Sequence, residues 1–142
     1  MKQTRLHFQP IQDKALDIVD AILQTTEVAS LGDALGIIRL VVEELVVNIV
    51  DYAYSEVADC NSPTTDYLDV EIERHQKSIT LRFRDGGVPF NPLAKESPDT
   101  SLPLEQRRIG GLGIFLVKQL MDSVTYNYTD GFNILTLKKK LP

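Results

Sequence analysis

The stretch Leu68-Asp69-Val70-Glu71-Ile72-Glu73-Arg74, followed after His75-Gln76-Lys77-Ser78 by Ile79-Thr80-Leu81-Arg82-Phe83-Arg84-Asp85-Gly86-Gly87, decides the fold. Leu68, Val70 and Ile72 alternate with Asp69, Glu71 and Glu73, and Ile79, Leu81 and Phe83 alternate with Thr80, Arg82 and Arg84. A period of two over two adjacent runs reads as an antiparallel hairpin with one buried face. Working towards the C-terminus, Val124 to Thr129, the turn pair Asp130-Gly131 and Asn133 to Lys139 read as a second hairpin. Towards the N-terminus, Thr4 to Gln9 alternates with Leu6 and Phe8 on one side, a short strand.

The remaining periodic segments are helical. Pro10 suits a helix start, and Ile11, Ala15, Ile18, Val19, Ile22 and Leu23 follow at amphipathic spacing. Gly32-Asp33 opens a second helical stretch reaching about Tyr54, ended by the polar loop Asp59-Cys60-Asn61-Ser62-Pro63. The apolar run Leu112-Gly113-Ile114-Phe115-Leu116-Val117, continuing to Leu120-Met121, reads as a buried helix. Residues 86–113 hold five of the eight glycines and four of the seven prolines. A structureless stretch of that size inside one domain is usually a functional loop, here expected to be a lid over a site at about 88–110. The order strand, two helices, hairpin, lid, helix, hairpin predicts a single α+β domain over 1–142. Its architecture is a two-layer α/β sandwich, a mostly antiparallel mixed sheet with helices packed on one face.

Composition narrows the partners. The chain of 142 residues carries 15 Lys+Arg against 20 Asp+Glu, net −5, with 43% hydrophobic residues. Residues 1–60 hold 4 basic and 10 acidic side chains, and residues 61–142 hold 11 and 10. Without a basic stripe, neither nucleic acid nor an anionic membrane is an expected partner. Cys60 is the only cysteine, so no internal disulfide forms and a reducing, cytoplasmic setting is the expectation. The stretch Met1-Lys2-Gln3-Thr4-Arg5 lacks the apolar core expected of a signal peptide, and no apolar run reaches membrane-spanning length.

Three patches carry candidate chemistry. Glu44 and Asn48 stand at i and i+4, so they share one helix face. They are either a solvated polar stripe or a carboxylate and an amide oxygen for proton transfer and a hard cation such as Mg²⁺. Asn48 lies within Val46-Val47-Asn48-Ile49-Val50, where a buried amide without partners is costly, whereas Glu43 falls one position off that face. Asp85-Gly86-Gly87 closes a strand, either as a tight turn or as a carboxylate that accepts a hydrogen bond from a flat ligand near the backbone. Arg107-Arg108-Ile109-Gly110-Gly111-Leu112-Gly113 opens the buried helix, either as a hinge or as converging N–H groups for an anion. The G-x-x-x-x-G-K-[ST] loop is absent, and a G-x-G-x-x-G fingerprint would need glycine where Leu116 stands. His7 and His75 have no metal-ligand partners at usable spacing and read as surface residues.

Taken in order, E-x-x-x-N on a helix, a hairpin ending in D-x-G, a Pro/Gly lid and G-G-L-G opening a helix resemble the Bergerat-fold ATP-binding domain of gyrase, MutL and sensor histidine kinases. Glu44…Asn48 resembles its N-box, Asp85-Gly86-Gly87 its first glycine box and Gly110-Gly111-Leu112-Gly113 its second. Asp85-Gly86-Gly87-Val88-Pro89-Phe90-Asn91-Pro92 and Gly113-Ile114-Phe115-Leu116-Val117-Lys118 are further similar to the stand-alone anti-sigma-factor serine/threonine kinases of bacteria. That resemblance implies ATP and Mg²⁺ as cofactors. Asp85 would accept the adenine amino group and Gly87 would let the base approach. Asn48 would hold Mg²⁺, Gly110, Gly111, Leu112 and Gly113 would face the phosphates with Arg108 at the γ-phosphate, and Glu44 would be the base. It also implies a STAS-domain antagonist as substrate, a sigma factor as a second partner, and a homodimer. The alternative is a non-catalytic ATP-binding module that docks a partner, for which Glu44 would be superfluous. The sequence departs from the family pattern at Tyr52 (often His) and at Asn91 (usually Asp). A threonine often found near the adenine on a C-terminal strand is displaced, with Asn133 and Ile134 in that neighbourhood.

Overall fold

The computed structural model describes residues 2–9, 14–50, 68–87 and 111–142. Its elements run β1 (Lys2–Phe8), α1 (Ala15–Leu23), α2 (Thr26–Ala29), a single 3-10 turn (Gly32–Ala34), α3 (Leu35–Asn48), β2 (Leu68–Arg74), β3 (Ser78–Asp85), α4 (Gly111–Leu120), β4 (Ser123–Thr129) and β5 (Phe132–Lys140). The five strands form one sheet in the order β1-β2-β3-β5-β4, and all four pairings are antiparallel. Both hairpins stand where the alternation predicts them. The short helix α2 is the one described element that sequence periodicity does not reveal, because four residues hold barely one turn.

Turn chemistry fixes both hairpins. His75 donates its backbone N–H to the Ser78 carbonyl at 2.9 Å, closing the β2–β3 loop. Asp130 and Gly131 adopt φ of 55° and 85°, the paired left-handed backbone that a two-residue hairpin requires. Thr129 and Phe132 pair directly on either side of that turn.

The pleat then sorts the side chains. Leu68, Val70 and Ile72 of β2, Ile79, Leu81 and Phe83 of β3, and Leu135 and Leu137 of β5 are buried on one face. Against them lie Ile38, Val41, Val42, Leu45 and Val46 of α3, an i, i+3, i+4, i+7, i+8 stripe, with Ile18, Val19 and Ile22 of α1 and Val117 of α4. Helix α3 packs between α1 and α4. Lys139 donates its Nζ to the Leu120 carbonyl at 2.9 Å, so a β5 side chain caps the last turn of α4. The expected two-layer α+β sandwich is therefore present, with its described sheet wholly antiparallel rather than mixed.

The other face of the sheet is a solvated ladder of charge. Arg82 bonds Glu71 at 3.0 Å, with Arg5 on the same carboxylate at 3.5 Å. Asp69 takes both His7 and Arg84, and the Arg84 guanidinium lies 3.7 Å from the centroid of the Phe132 ring. His7 and His75 each face a carboxylate, Asp69 and Glu73, in keeping with the surface setting read from sequence.

Candidate functional site

Asp85 is the last residue of β3, and the strand's period of two decides where it points. Ile79, Leu81, Phe83 and Asp85 are the buried residues of one face, so the carboxylate shares the helix-covered side with the core. It is 6% exposed. An ionised carboxylate in that position needs donors, and two are present. The Gly87 N–H and the Asn133 Nδ2 both donate to Asp85 Oδ1, each at 3.0 Å. Asn133 is the direct cross-strand partner of Asp85 on β5 and is itself 6% exposed. Its Nδ2 also lies 3.4 Å from the Gly87 carbonyl, and its Oδ1 accepts a hydrogen bond from the Tyr126 hydroxyl of β4.

Burial pushes the Asp85 carboxyl above its ordinary value of 3.8, and the bonds from Asn133 and Gly87 pull part of the way back. Both bonds reach the same oxygen. Oδ2 has no hydrogen-bond partner among the described residues. An orphaned acceptor at a buried strand end is what an N–H donor on a flat ligand would satisfy.

Glu44 and Asn48 lie on α3, whose apolar stripe seats it on the same face of the sheet. Both are half-buried, and neither has a hydrogen-bond or ion-pair partner among the described residues. Glu43, one position round the helix, pairs with Arg39 at 3.1 Å. The two neighbouring glutamates thus differ as the helix geometry predicts: Glu43 is tied to a surface arginine and Glu44 is not. Asn48 ends α3 half-buried rather than enclosed, which leaves its amide accessible to a ligand. Its oxygen and the Glu44 carboxylate suit a hard cation and a proton respectively.

Gly111, Leu112 and Gly113 form the first turn of α4, where backbone N–H groups without intrahelical acceptors collect. Arg108, Gly110 and the expected lid at 88–110 lie outside the described residues, as do the expected helix start at Pro10 and the end of the second helix near Tyr54.

Two residues of the Asp85 cluster were not assigned a role from sequence. Tyr126 carries no motif. Asn133 was noticed only because a family threonine was missing from its neighbourhood, and its bond to Asp85 spans 48 positions. No local signal marks the pair, because Asn133 meets Asp85 only through the β3–β5 register between two separate hairpins.

The structure is thus a two-layer α+β domain with a buried carboxylate at a strand end and a helix opened by glycines. The chain belongs to the histidine kinase-like ATPase domain family, whose model matches residues 12–139. Membership of an ATPase family implies an ATP site. Among similar proteins, the serine-protein kinase RsbW of Listeria monocytogenes serovar 1/2a is 29% identical over 110 residues, covering 75% of this chain and 66% of the relative. The serine/threonine-protein kinase BtrW of Bordetella bronchiseptica is 28% identical over 100 residues, covering 70% and 66%. The serine-protein kinase RsbW of Bacillus cereus is 27% identical over 104 residues, covering 70% and 61%. The matches thus span just under two thirds of the length of these relatives. Among the described residues no helix is long and apolar enough to cross a membrane.

Proposed function

We infer that this chain is an ATP-dependent protein serine/threonine kinase of the anti-sigma-factor type. The observation that carries the reading is the orphaned Oδ2 of Asp85, buried at the end of β3 on the side of the sheet that α3 covers. Family membership supports it, and so do relatives named serine-protein kinases at 27–29% identity.

In this reading Asp85 accepts the adenine amino group and Gly87 leaves room for the base. Asn48 would hold Mg²⁺ through its amide oxygen, and the ion would supply neutralisation of phosphate charge. Gly110, Gly111, Leu112 and Gly113 would offer backbone N–H groups to the phosphates, and Arg108 would approach the γ-phosphate. Glu44 takes the proton of a serine or threonine hydroxyl as that oxygen bonds the γ-phosphorus. The bond to the β-phosphate oxygen breaks and ADP leaves. Transfer of this kind rests mainly on positioning and charge neutralisation. The substrate is a small STAS-domain antagonist protein, a sigma factor is the second partner, and the domain, 1–142, works as a homodimer in the cytoplasm.

The test is incubation with labelled ATP, Mg²⁺ and candidate STAS-domain proteins, with the phosphosite mapped. Glu44→Gln should bind ATP as the wild type does and lose about 10²–10⁴-fold in transfer rate, the range a general base supplies. Equal rates for the two proteins would remove Glu44 from the base role. ATP binding without transfer to any STAS-domain protein would leave the non-catalytic docking module as the reading.

A further inference from the structure

The buried polar row at the end of the sheet contains more than an acceptor for a base. Asp85, Asn133 and Tyr126 come from three neighbouring strands, β3, β5 and β4. Asp85 and Asn133 face each other directly. Tyr126 pairs with Leu135, two residues from Asn133 on the same face, so it reaches Asn133 diagonally.

The donor inventory fixes the direction of every bond. An ionised carboxylate can only accept, so Asn133 must turn Nδ2 towards Asp85 Oδ1. Its Oδ1 then points the other way, towards the Tyr126 hydroxyl, which must donate. The same Nδ2 reaches the Gly87 carbonyl at 3.4 Å, and the Gly87 N–H donates to Asp85 Oδ1. One amide therefore spans the strand end and the first turn of the loop after it. Because both donors load Oδ1, rotation of the carboxylate is restricted and Oδ2 is held in one direction.

We propose that Asn133 and Tyr126 are positioning residues for base selection: the one-way chain from the Tyr126 hydroxyl through the Asn133 amide to Asp85 Oδ1 aims the other carboxylate oxygen at the ligand's amino group. This rests on the reading of Asp85 as the base acceptor. Asn133 needs no contact with the base. Both of its polar ends are engaged by Asp85, Gly87 and Tyr126, so its influence travels through Asp85. Burial of Asp85 and Asn133 makes the arrangement consequential, since a buried carboxylate that loses a donor has little water to turn to.

The experiment compares two ligands that differ by one group. The full chain is titrated calorimetrically with ATP and with purine riboside triphosphate, which lacks only the 6-amino group, in the wild type, Tyr126→Phe, Asn133→Leu and the double variant. The wild type should prefer ATP by about tenfold or more. Tyr126→Phe should cut that preference several-fold, Asn133→Leu should bring it close to one, and the double variant should match Asn133→Leu, the outcome expected where the hydroxyl's effect on the preference passes through the amide. Tyr126→Phe removes a single oxygen from a half-buried side chain and carries the test alone should Asn133→Leu not fold. A purely structural role would weaken both nucleotides by the same factor and leave the preference intact, which overturns the proposal. A wild type that binds ATP without preferring it overturns the reading of Asp85 and this proposal with it. Preserved preference in the variants, with a discriminating wild type, overturns this proposal alone.

Discussion

Replacing Asp85 by Asn separates what the carboxylate does for the fold from what it does for a ligand, because the two effects have opposite signs. The substitution is nearly isosteric. The new amide oxygen can still accept from the Gly87 N–H and from Asn133 Nδ2, both at 3.0 Å in the wild type. The new NH₂ stands where the orphaned Oδ2 stood. In the nucleotide-free protein the variant loses a charge that burial disfavours. Asp85's folded-state pKa lies above the ordinary 3.8, with burial as the larger cause and the two hydrogen bonds opposing it. A carboxyl with a raised pKa gives its full share of stability below the unfolded value and loses it as pH rises through the folded value. The Asn side chain does not titrate. Urea denaturation should therefore find wild type and variant alike in acid, with the variant gaining as pH rises out of the ordinary carboxylate range and holding that gain at neutral pH. Nucleotide binding should move the other way. A hydrogen bond to a charged acceptor is worth roughly 1.5–3 kcal/mol, and the variant puts a donor against the adenine amino group, so ATP affinity should fall roughly tenfold to a hundredfold. A variant less stable than wild type at neutral pH refutes burial as the dominant influence on Asp85. Calorimetry showing unchanged ATP affinity refutes Asp85 as the base acceptor.

Three further outcomes test the fold. Phe83→Ala, at a side chain 1% exposed in the centre of the core, should cost about 3–5 kcal/mol in denaturant unfolding. Thr4→Val removes the hydroxyl that donates to Glu27 Oε2 at 2.8 Å; Glu27 is 4% exposed, so a loss of about 1–3 kcal/mol is expected, with Thr4→Ser recovering most of it. Gly131→Ala places a Cβ in open space but on a backbone with φ of 85°. Its cost of roughly 1–2 kcal/mol is purely conformational, and Gly131→Asn should recover part of it.

The legible parts of the sequence were those whose signals are local. Alternation exposed β2 and β3 because one face of the sheet is buried and the other carries Asp69, Glu71, Arg82 and Arg84. Asp130-Gly131 was readable because few dipeptides tolerate two left-handed residues. Glu44 and Asn48 stood out because an i, i+4 polar pair stands within an apolar run of sequence. The parts that escaped depend on long-range pairing. Glu27 is buried against Thr4 across 23 positions, on a helix too short to show a period. Tyr126 reads as one more residue of an alternating strand until β5 is laid between β3 and β4. Pattern can announce a hairpin, but it does not say which hairpin lies beside which.

That sheet order is what brings Asp85, Asn133 and Tyr126 into one row. Ile79, Leu81 and Phe83 must face the helices to build the core, and the period of two then forces Asp85 onto the same side. The same argument on β5 carries Leu137 and Leu135 to Asn133. Two apolar alternations, each selected by hydrophobic burial, thus deliver a carboxylate and an amide to one register position, Asp85 opposite Asn133. A one-residue slip of β5 against β3 would turn Leu135 and Leu137 out of the core and swing Asn133 to the charged face at the same moment. Register and folding are therefore coupled: the strand pairing that sets Asp85 opposite Asn133 cannot be lost without also losing the core.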